Sequence, residues 1–206
     1  MDGNSQTCVV HAVDDHPAML RMLAELIDSI GIQVITYASA REFLSRYVPC
    51  ACECLVSDVR MPEIGGLEFQ RILNQRGHTI PIIFITGFAE VGTAVEAMKA
   101  GAFDYIEKPF AHQTFLEMIQ RALEKSRTLY AKQQQERAST ARFSVLTPTE
   151  GRVLKLLATG KSSKEIAETL SIGSRTVDNH RGRIMEKLHV KSAIELVLLY
   201  KEMHRD

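Results

Sequence analysis

The chain has 206 residues, 25 basic and 25 acidic side chains, and 45% hydrophobic residues. This length predicts two small domains, and the composition is ordinary for a globular protein. It contains no apolar run near the ~18 residues that span a bilayer, and its first residues, MDGNSQT, do not resemble a signal peptide. We therefore expect a cytoplasmic protein with no membrane partner.

Five short apolar runs alternate with amphipathic helical patterns in the first half of the chain. The runs cover residues 8–13, 33–36, 54–58, 80–86 and 103–106. Apolar strands that alternate with helices are typical of a parallel sheet covered on both faces. We predict an α/β doubly wound domain with five parallel strands over residues 1–125.

Four cysteines lie in this half, and three of them form a C-x-C-x-C run (Cys50, Cys52 and Cys54). Their side chains would share one face of an extended segment, so a zinc clip is conceivable. Because no CxxC pair or nearby histidine accompanies them, we favour reduced thiols packed at the start of a strand.

Polar side chains stand where four of the predicted strands end. Asp14 and Asp15 follow the first strand, Asp58 ends the third, Thr86 ends the fourth and Lys108 follows the fifth. Ligands bind beyond the carboxyl ends of parallel strands, which lie at one edge of the sheet. Carboxylates are hard ligands for Mg²⁺, and a carboxylate oxygen can attack a phosphoryl group. The pattern predicts phosphoryl chemistry with Mg²⁺ as cofactor.

The segments DDHPAML, SDVRMPEIGG, FITG and DYIEKPF resemble the receiver domain of two-component response regulators, which has a flavodoxin-like fold. This resemblance implies that Asp58 is the phospho-acceptor and that a histidine kinase is the phosphodonor. It also implies that the chain catalyses only its own phosphorylation and dephosphorylation. The implied Mg²⁺ ligands are Asp15 and Asp58 directly, Asp14 largely through water, and the backbone carbonyl of Arg60. The implied switch pair is Thr86 and Tyr105, and the implied phosphate contact is Lys108.

The second half of the chain is basic, whereas the first half is acidic. Residues 126–206 hold 15 Lys and Arg against 9 Asp and Glu, and residues 1–125 hold 10 against 16. Nucleic acid is the natural partner of a basic domain. Residues 126–142 contain neither Pro nor Gly and are predicted to be a helical or flexible linker, with the helix favoured by their composition.

Residues 143–206 are predicted to form a small all-α domain of four helices. Capping boxes at Thr147, Ser162 and Ser192 mark three helix starts. A tight turn at 171–173 precedes a further helix, which Ser174 is expected to cap. Two short helices joined by a three-residue turn that contains glycine predict a helix-turn-helix.

The run from Leu146 to Ser192 resembles the LuxR-type helix-turn-helix, and the whole chain resembles response regulators of the NarL/FixJ type. One face of the helix from Arg175 to Leu188 is expected to pack, and the opposite face to enter the major groove of double-stranded DNA. Asn179 and Arg175 are suited to read bases, whereas most of the other contacts fit phosphates. The predicted DNA contacts are Lys164, Arg175, Thr176, Asp178, Asn179, His180, Gly182, Arg183 and Lys187.

These observations predict a phosphorylation-controlled, DNA-binding transcription regulator that forms a homodimer when phosphorylated. Pairing is expected through the receiver surface that holds Ala94, Ala97 and Met98, and through the apolar last helix, which is otherwise core. One alternative is an Mg²⁺-dependent phosphatase, although that class would want a D-x-D-x-T run after the first strand. The other is a receiver whose basic half binds protein or RNA.

Overall fold

The computed structural model describes residues 7–88 and 90–203, which form two compact units divided between Ala131 and Lys132. The first unit contains a five-stranded sheet in the order β2-β1-β3-β4-β5, with every neighbouring pair parallel. The predicted doubly wound sheet is confirmed. The strands are β1 (Val9–Val13), β2 (Gln33–Tyr37), β3 (Glu53–Asp58), β4 (Ile82–Thr86) and β5 (Asp104–Glu107).

A helix follows each strand, and the helices cover both faces of the sheet. They are α1 (Pro17–Asp28), α2 (Ala40–Arg46), α3 (Gly66–Gln75), α4 (Val91–Lys99) and α5 (His112–Phe143). On one face, buried side chains of α1 and α5 pack on strand residues such as Val56 and Ile83. On the other face, α2, α3 and α4 pack on residues such as Leu55 and Phe84. Burial on both faces explains why the strands are apolar throughout.

The segment predicted as a helical or flexible linker, residues 126–142, belongs to α5, which runs without interruption from His112 to Phe143. The absence of proline and glycine from this stretch allows the backbone hydrogen bonds of the helix to continue. Its helical form is therefore a property of the local sequence.

The second unit contains four helices around one apolar core. They are α6 (Pro148–Ala158), α7 (Ser163–Leu170), α8 (Ser174–Leu188) and α9 (Ala193–Met203). Val153, Ile166, Val177 and Ile184, from three of the helices, are completely buried at its centre. The predicted helix-turn-helix corresponds to α7 and α8.

The helix starts follow the capping signals in most cases. Thr147 and Ser162 form complete capping boxes with Glu150 and Glu165. At Ser192 the hydroxyl accepts from the following turn, but the partner carboxylate accepts from the N–H of Lys191 instead of completing the box. The prediction that Ser174 caps α8 is wrong, because Gly173 occupies the N-cap position and Ser174 is the first helical residue.

The expectation of reduced thiols in the C-x-C-x-C run is wrong for Cys52. Cys8 and Cys52 form a disulfide, with Cα atoms 4.7 Å apart, whereas Cys50 and Cys54 are free. Val9 and Glu53, the residues that follow the bonded cysteines, are direct partners in the β1–β3 register. The two cysteines therefore meet because β1 and β3 are parallel neighbours that start at the same level. Cys8 was not predicted to pair because strand order cannot be deduced from cysteine spacing.

Gly66, the first residue of α3, packs against the backbone beside Asp58. A Cβ atom at this position would lie 2.6 Å from the Asp58 carbonyl oxygen and 2.9 Å from a Phe84 ring carbon. We expect Gly66→Ala to destabilise the first unit by about 1–3 kcal/mol, because the obstructing atoms belong mostly to a buried strand. Urea titration followed through methyl NMR signals of buried residues in the first unit measures this loss.

The control for this prediction is Gly92→Ala, in α4, where a Cβ atom would meet nothing within 4 Å. Alanine is the better helix former, so this variant should be as stable as the parent or slightly more stable. Equal stability of the Gly66→Ala variant and the parent would contradict the close packing of α3 on β3.

Candidate functional site

The carboxyl ends of β1 and β3 bring Asp14 and Asp58 to one ammonium group. The Lys108 Nζ atom lies 3.1 Å from the Asp14 Oδ2 atom and 2.7 Å from the Asp58 Oδ1 atom. Asp14 is completely buried, and Asp58 is 7% exposed. Lys108 reaches them from the residue after β5, before the cis Lys108–Pro109 peptide bond. The structure thus brings together three of the predicted site residues from three separate strand ends.

Backbone N–H groups hold the two carboxylates in place. The Arg60 N–H donates to the Asp58 Oδ2 atom at 2.7 Å, and the His16 N–H donates to the Asp14 Oδ1 atom at 2.8 Å. Each oxygen keeps a second lone pair that a ligand can use. The loop after each strand therefore fixes its carboxylate and leaves part of each oxygen available.

The third carboxylate, Asp15, is partly exposed. It lies beside His16, a residue that was not among those predicted for this site. The His16 Nδ1 atom is 3.1 Å from an Asp15 oxygen and 3.4 Å from an Asp14 oxygen. Among the described residues, Asp14, Asp15 and His16 form a group whose ligand atoms are close enough to hold a metal ion. Its position directly after the acidic pair was the signal that could have drawn attention to it.

The donor set suits a divalent cation of the Mg²⁺ type. The Lys108 ammonium pairs with two carboxylates, Asp14 and Asp58, and Asp15 adds a third carboxylate beside Asp14, so negative charge at this edge exceeds the charge of Lys108. Crowded carboxylates are costly unless a cation compensates them, and oxygen ligands of this kind are those that Mg²⁺ prefers. The Arg60 side chain does not supply the missing charge, because it pairs with Glu90 at 2.6 Å.

The predicted switch residues lie on the two adjoining strands. The Thr86 hydroxyl is nearly buried at the end of β4 and exchanges hydrogen bonds with the backbone of Phe88, at 3.2 Å in each direction. The hydroxyl oxygen of Tyr105, on β5, is buried without a hydrogen-bond partner in the part of the chain that the structure describes. Burial raises the pKa of Tyr105, so the phenol stays protonated near neutral pH.

The second candidate site is the outer face of α8. Val177, Ile184 and Leu188 are buried in the core of the second unit, and the opposite face of α8 is solvent-exposed. Its exposed residues are Arg175, Thr176, Asp178, Asn179, Gly182, Arg183 and Lys187, and Lys164 is exposed on α7, whereas His180 is half-buried. The predicted division of α8 into a packed face and an open face therefore matches its burial pattern.

Two of the predicted DNA contacts also have partners inside the unit. The Lys187 Nζ atom lies 2.7 Å from a carboxylate oxygen of the buried Glu150. Asp178 accepts a hydrogen bond from the Ser163 hydroxyl at 2.8 Å, and Arg181 donates to that same hydroxyl. Asp178 thus helps to fix α8 against the start of α7, which explains an acid on the exposed face. Their roles as DNA contacts stay predictions.

Glu150 connects α6 to α8. Burial alone would raise the pKa of its carboxyl group, but the Lys187 ammonium and the Thr147 N–H hold it at about 2, below the ordinary 4.5. Because the pKa is lowered on folding, Glu150 stabilises the unit fully above about pH 4.5. That contribution is lost as the pH falls towards about 2.

We expect Glu150→Gln to lower the free energy of unfolding of the second unit by about 1–3 kcal/mol at pH 7, because a charged hydrogen bond is lost. The difference from the parent should shrink as the pH falls from about 4.5 towards about 2. Urea titrations followed through methyl NMR signals of Val153 and Leu154 measure both quantities. Glu168→Gln, at an exposed position of α7, is the matched control and should leave stability unchanged.

A doubly wound five-stranded unit with an Asp–Lys site at its carboxyl edge, followed by a helix-turn-helix unit, defines a response regulator. The family description "Response regulator receiver domain" matches residues 10–120, and "Bacterial regulatory proteins, luxR family" matches residues 144–200. The chain therefore belongs to the response regulators that combine a receiver with a LuxR-type DNA-binding domain, and it is a phosphorylation-controlled transcription regulator.

Named relatives and solved structures agree with this family. The response regulator protein TmoT of Ectopseudomonas mendocina is 42% identical over 94% of this chain and 88% of its own length. The transcriptional regulatory protein FixJ of Azorhizobium caulinodans is 40% identical over 91% and 89%. The structure of the response regulator StyR has a TM-score of 0.77 at 37% identity, over 95% of this chain and 99% of that one.

Among the described residues of the present chain, none of the helices could cross a membrane.

Proposed function

We propose that Asp58 accepts a phosphoryl group from the phosphohistidine of a partner histidine kinase. The observation that carries this proposal is the Lys108 ammonium, which contacts both Asp58 and Asp14. A carboxylate oxygen of Asp58 attacks the phosphorus atom, the P–N bond to the kinase histidine breaks, and an aspartyl-phosphate forms. Lys108 stays beside the transferred group and neutralises part of its charge.

Asp14, Asp15, Asp58 and the backbone carbonyl of Arg60 would hold Mg²⁺ in this site. When bound, Mg²⁺ compensates the crowded carboxylates and the phosphoryl oxygens. The His16 N–H and the Lys108 ammonium each contact one oxygen of Asp14, so the orientation of this carboxylate is already set. The direct test is mass spectrometry after treatment with acetyl phosphate and Mg²⁺, with the added phosphoryl mass expected on the peptide that contains Asp58.

We also propose that the chain removes its own phosphoryl group by hydrolysis and has no separate substrate. Asp58 is only 7% exposed, so little of the site is open to water, and hydrolysis should be slow enough for the phosphorylated form to persist. The relatives are named as transcriptional regulators, which supports regulation as the purpose of this chemistry.

Phosphorylation is proposed to act on the surface around α4 through Thr86 and Tyr105. The Thr86 hydroxyl exchanges hydrogen bonds of 3.2 Å with the backbone of Phe88, so a turn towards a phosphoryl oxygen would exchange these local contacts for a bond to the phosphoryl group. The Tyr105 hydroxyl, buried without a partner among residues 7–88 and 90–203, gains from any rearrangement that provides one. Phe88 and the start of α4 would move with this change.

Four apolar side chains are exposed on α4 and just before it, and we propose that they pair two chains after phosphorylation. Val91, Val95 and Met98 lie at helical spacing on α4, Phe88 precedes the helix, and the four are 45–81% exposed. The earlier expectation that Ala97 belongs to this surface is wrong, because Ala97 is completely buried, and Ala94 is only half-exposed. We call the four exposed residues the α4 stripe.

The second unit has its own exposed apolar face, on α9, which we propose as a further pairing surface. Ile194 and Leu198 are 75% and 56% exposed and line an open groove with Leu157 of α6. In a pair of chains, two α8 helices would meet DNA half-sites about one helical turn apart.

As a DNA-binding regulator, the protein would act in the cytoplasm, where bacterial DNA lies.

The outer face of α8 is proposed to read double-stranded DNA. We expect Asn179→Ala to relax base preference at one position of each half-site, because asparagine can form two hydrogen bonds with adenine. The loss of discrimination against the wrong base should be about 1–3 kcal/mol.

Lys164→Ala should weaken binding to all sequences, as expected for a phosphate contact. The slope of the logarithm of the binding constant against the logarithm of the salt concentration should fall by about one unit. Selection from randomised duplexes and titrations at several salt concentrations measure the two effects.

Lys155→Ala provides the control, because Lys155 is an exposed lysine outside the helix-turn-helix. It should change neither base preference nor salt dependence. Equal loss of specificity in the Asn179→Ala and Lys164→Ala variants would show that the division into base and phosphate contacts is wrong. A preference for single-stranded RNA over duplex DNA would favour the RNA-binding alternative.

A further inference from the structure

The Cys8–Cys52 disulfide joins the starts of the two strands that lead to the acidic site. Cys8 immediately precedes β1 and Cys52 immediately precedes β3, and the Val9 N–H donates to the Cys52 carbonyl at 2.9 Å. The same two strands carry Asp14 and Asp58 at or just beyond their other ends. The bond therefore lies at the opposite edge of the sheet, away from the phosphoryl site.

The two sulfur atoms differ in access and surroundings. Cys8 is partly exposed, and the Arg127 Nη2 atom lies 3.1 Å from its sulfur. A guanidinium group at this distance favours the thiolate form of a reduced cysteine, which is the reactive form. Cys52 is completely buried against α5, with its sulfur 3.9 Å from the Leu123 carbonyl. Cys8 is thus placed to react with a small molecule and Cys52 to react with Cys8.

The other two cysteines are less suited to such chemistry. Burial raises the pKa of both Cys50 and Cys54, and Cys54 is completely buried. Their thiols therefore stay protonated and unreactive near neutral pH. Among the described residues, no group of three close metal ligands includes a cysteine.

We propose that Cys8 and Cys52 form a reversible thiol–disulfide site that responds to peroxides. In the reduced protein, the Cys8 thiolate attacks a peroxide oxygen, the O–O bond breaks, and Cys8 becomes a sulfenic acid while the peroxide releases water. The Cys52 sulfur then attacks the Cys8 sulfur, and a second water leaves as the disulfide forms. One peroxide is reduced by two electrons and two thiols are oxidised; a dithiol reductant reverses the bond by exchange.

The bond closes a long loop and should change the stability of the first unit. Cys8 and Cys52 are 44 residues apart in sequence, and closing such a loop restricts the unfolded chain strongly. The Glu53 N–H next to the bond donates to the Ser126 hydroxyl of α5 at 3.0 Å. The state of the bond therefore sets how firmly β1, β3 and the middle of α5 are held together.

The test uses the full chain, reduced with dithiothreitol, desalted without oxygen and then exposed to hydrogen peroxide. Thiols are blocked with a maleimide and located by peptide mass spectrometry. We expect Cys8 and Cys52 to lose their reaction with maleimide together after one equivalent of peroxide, while Cys50 and Cys54 stay reduced. The melting temperature of the first unit should rise by about 10 °C on oxidation and return with dithiothreitol.

Cys8→Ser should remove both the melting shift and the protection of Cys52, whereas Cys50→Ser should behave like the parent. Cys8 and Cys52 that both react with maleimide after peroxide treatment would overturn the proposal. So would a bond from Cys8 to Cys50, a Cys8 that proceeds to sulfinic acid unpaired, or stoichiometric zinc held by the cysteines of the purified protein.

Discussion

The Asp58→Asn variant is expected to take up no phosphoryl label from acetyl phosphate and Mg²⁺, whereas the parent chain should be labelled at one site. An amide oxygen is a far weaker nucleophile than a carboxylate oxygen and cannot form an acyl phosphate of normal stability. The fold should survive, because the asparagine side chain keeps an oxygen that can accept a hydrogen bond from the Arg60 N–H. In the parent chain this N–H lies 2.7 Å from the Asp58 Oδ2 atom. Loss of label can therefore be assigned to chemistry.

The matched control is Asp28→Asn, at the exposed last position of α1, which should be labelled like the parent. Intact-mass spectrometry at several times counts the phosphoryl groups, and omission of Mg²⁺ tests the cation. Labelling of Asp58→Asn at the parental rate would refute the assignment of the nucleophile. Label shifted to Asp14 or Asp15 would indicate that the site phosphorylates whichever carboxylate is free.

The strand ends could be predicted because they follow from local pattern. Apolar runs ending in Asp14, Asp58, Thr86 and Lys108 place these residues at one edge once the strands are parallel, whatever the strand order. The structure adds the distances, such as 2.7 Å between Lys108 and Asp58. The family motifs supplied the roles, which spacing alone does not reveal.

Other features depend on tertiary packing that no local pattern records. The Glu150–Lys187 pair joins residues 37 apart in sequence, and the Cys8–Cys52 bond requires β1 and β3 to be neighbours. Ala97 is completely buried, and the side-chain amide of Gln70 donates to its carbonyl at 3.2 Å, so this side of α4 faces α3. Of the three residues expected on the pairing surface, Met98 is exposed and Ala97 is not, because the orientation of α4 is set by its packing on the rest of the unit.

Phosphorylation, mimicked by beryllofluoride with Mg²⁺, is expected to convert the chain from monomer to dimer through the α4 stripe. Light scattering should show about twice the monomer mass of 23.1 kDa at micromolar concentration. The physical reason is apolar area: Phe88, Val91, Val95 and Met98 are costly to expose to water, and pairing buries them. The charge added at Asp58 should draw in Thr86 and Lys108 and so move Phe88, the first residue of the stripe.

Val95→Glu should prevent this dimer, because pairing would bury a carboxylate in an apolar interface. Val95 is 45% exposed, so the free receiver should tolerate the change and still accept a phosphoryl group on Asp58. Val48→Glu is the matched control, since Val48 is 76% exposed in the segment between α2 and β3, away from the stripe, and it should dimerise like the parent. A parent chain that stays monomeric with beryllofluoride, yet gains affinity for DNA, would rule out dimerisation as the switch. Phosphorylation would then act by exposing α8, a mechanism that needs only one chain.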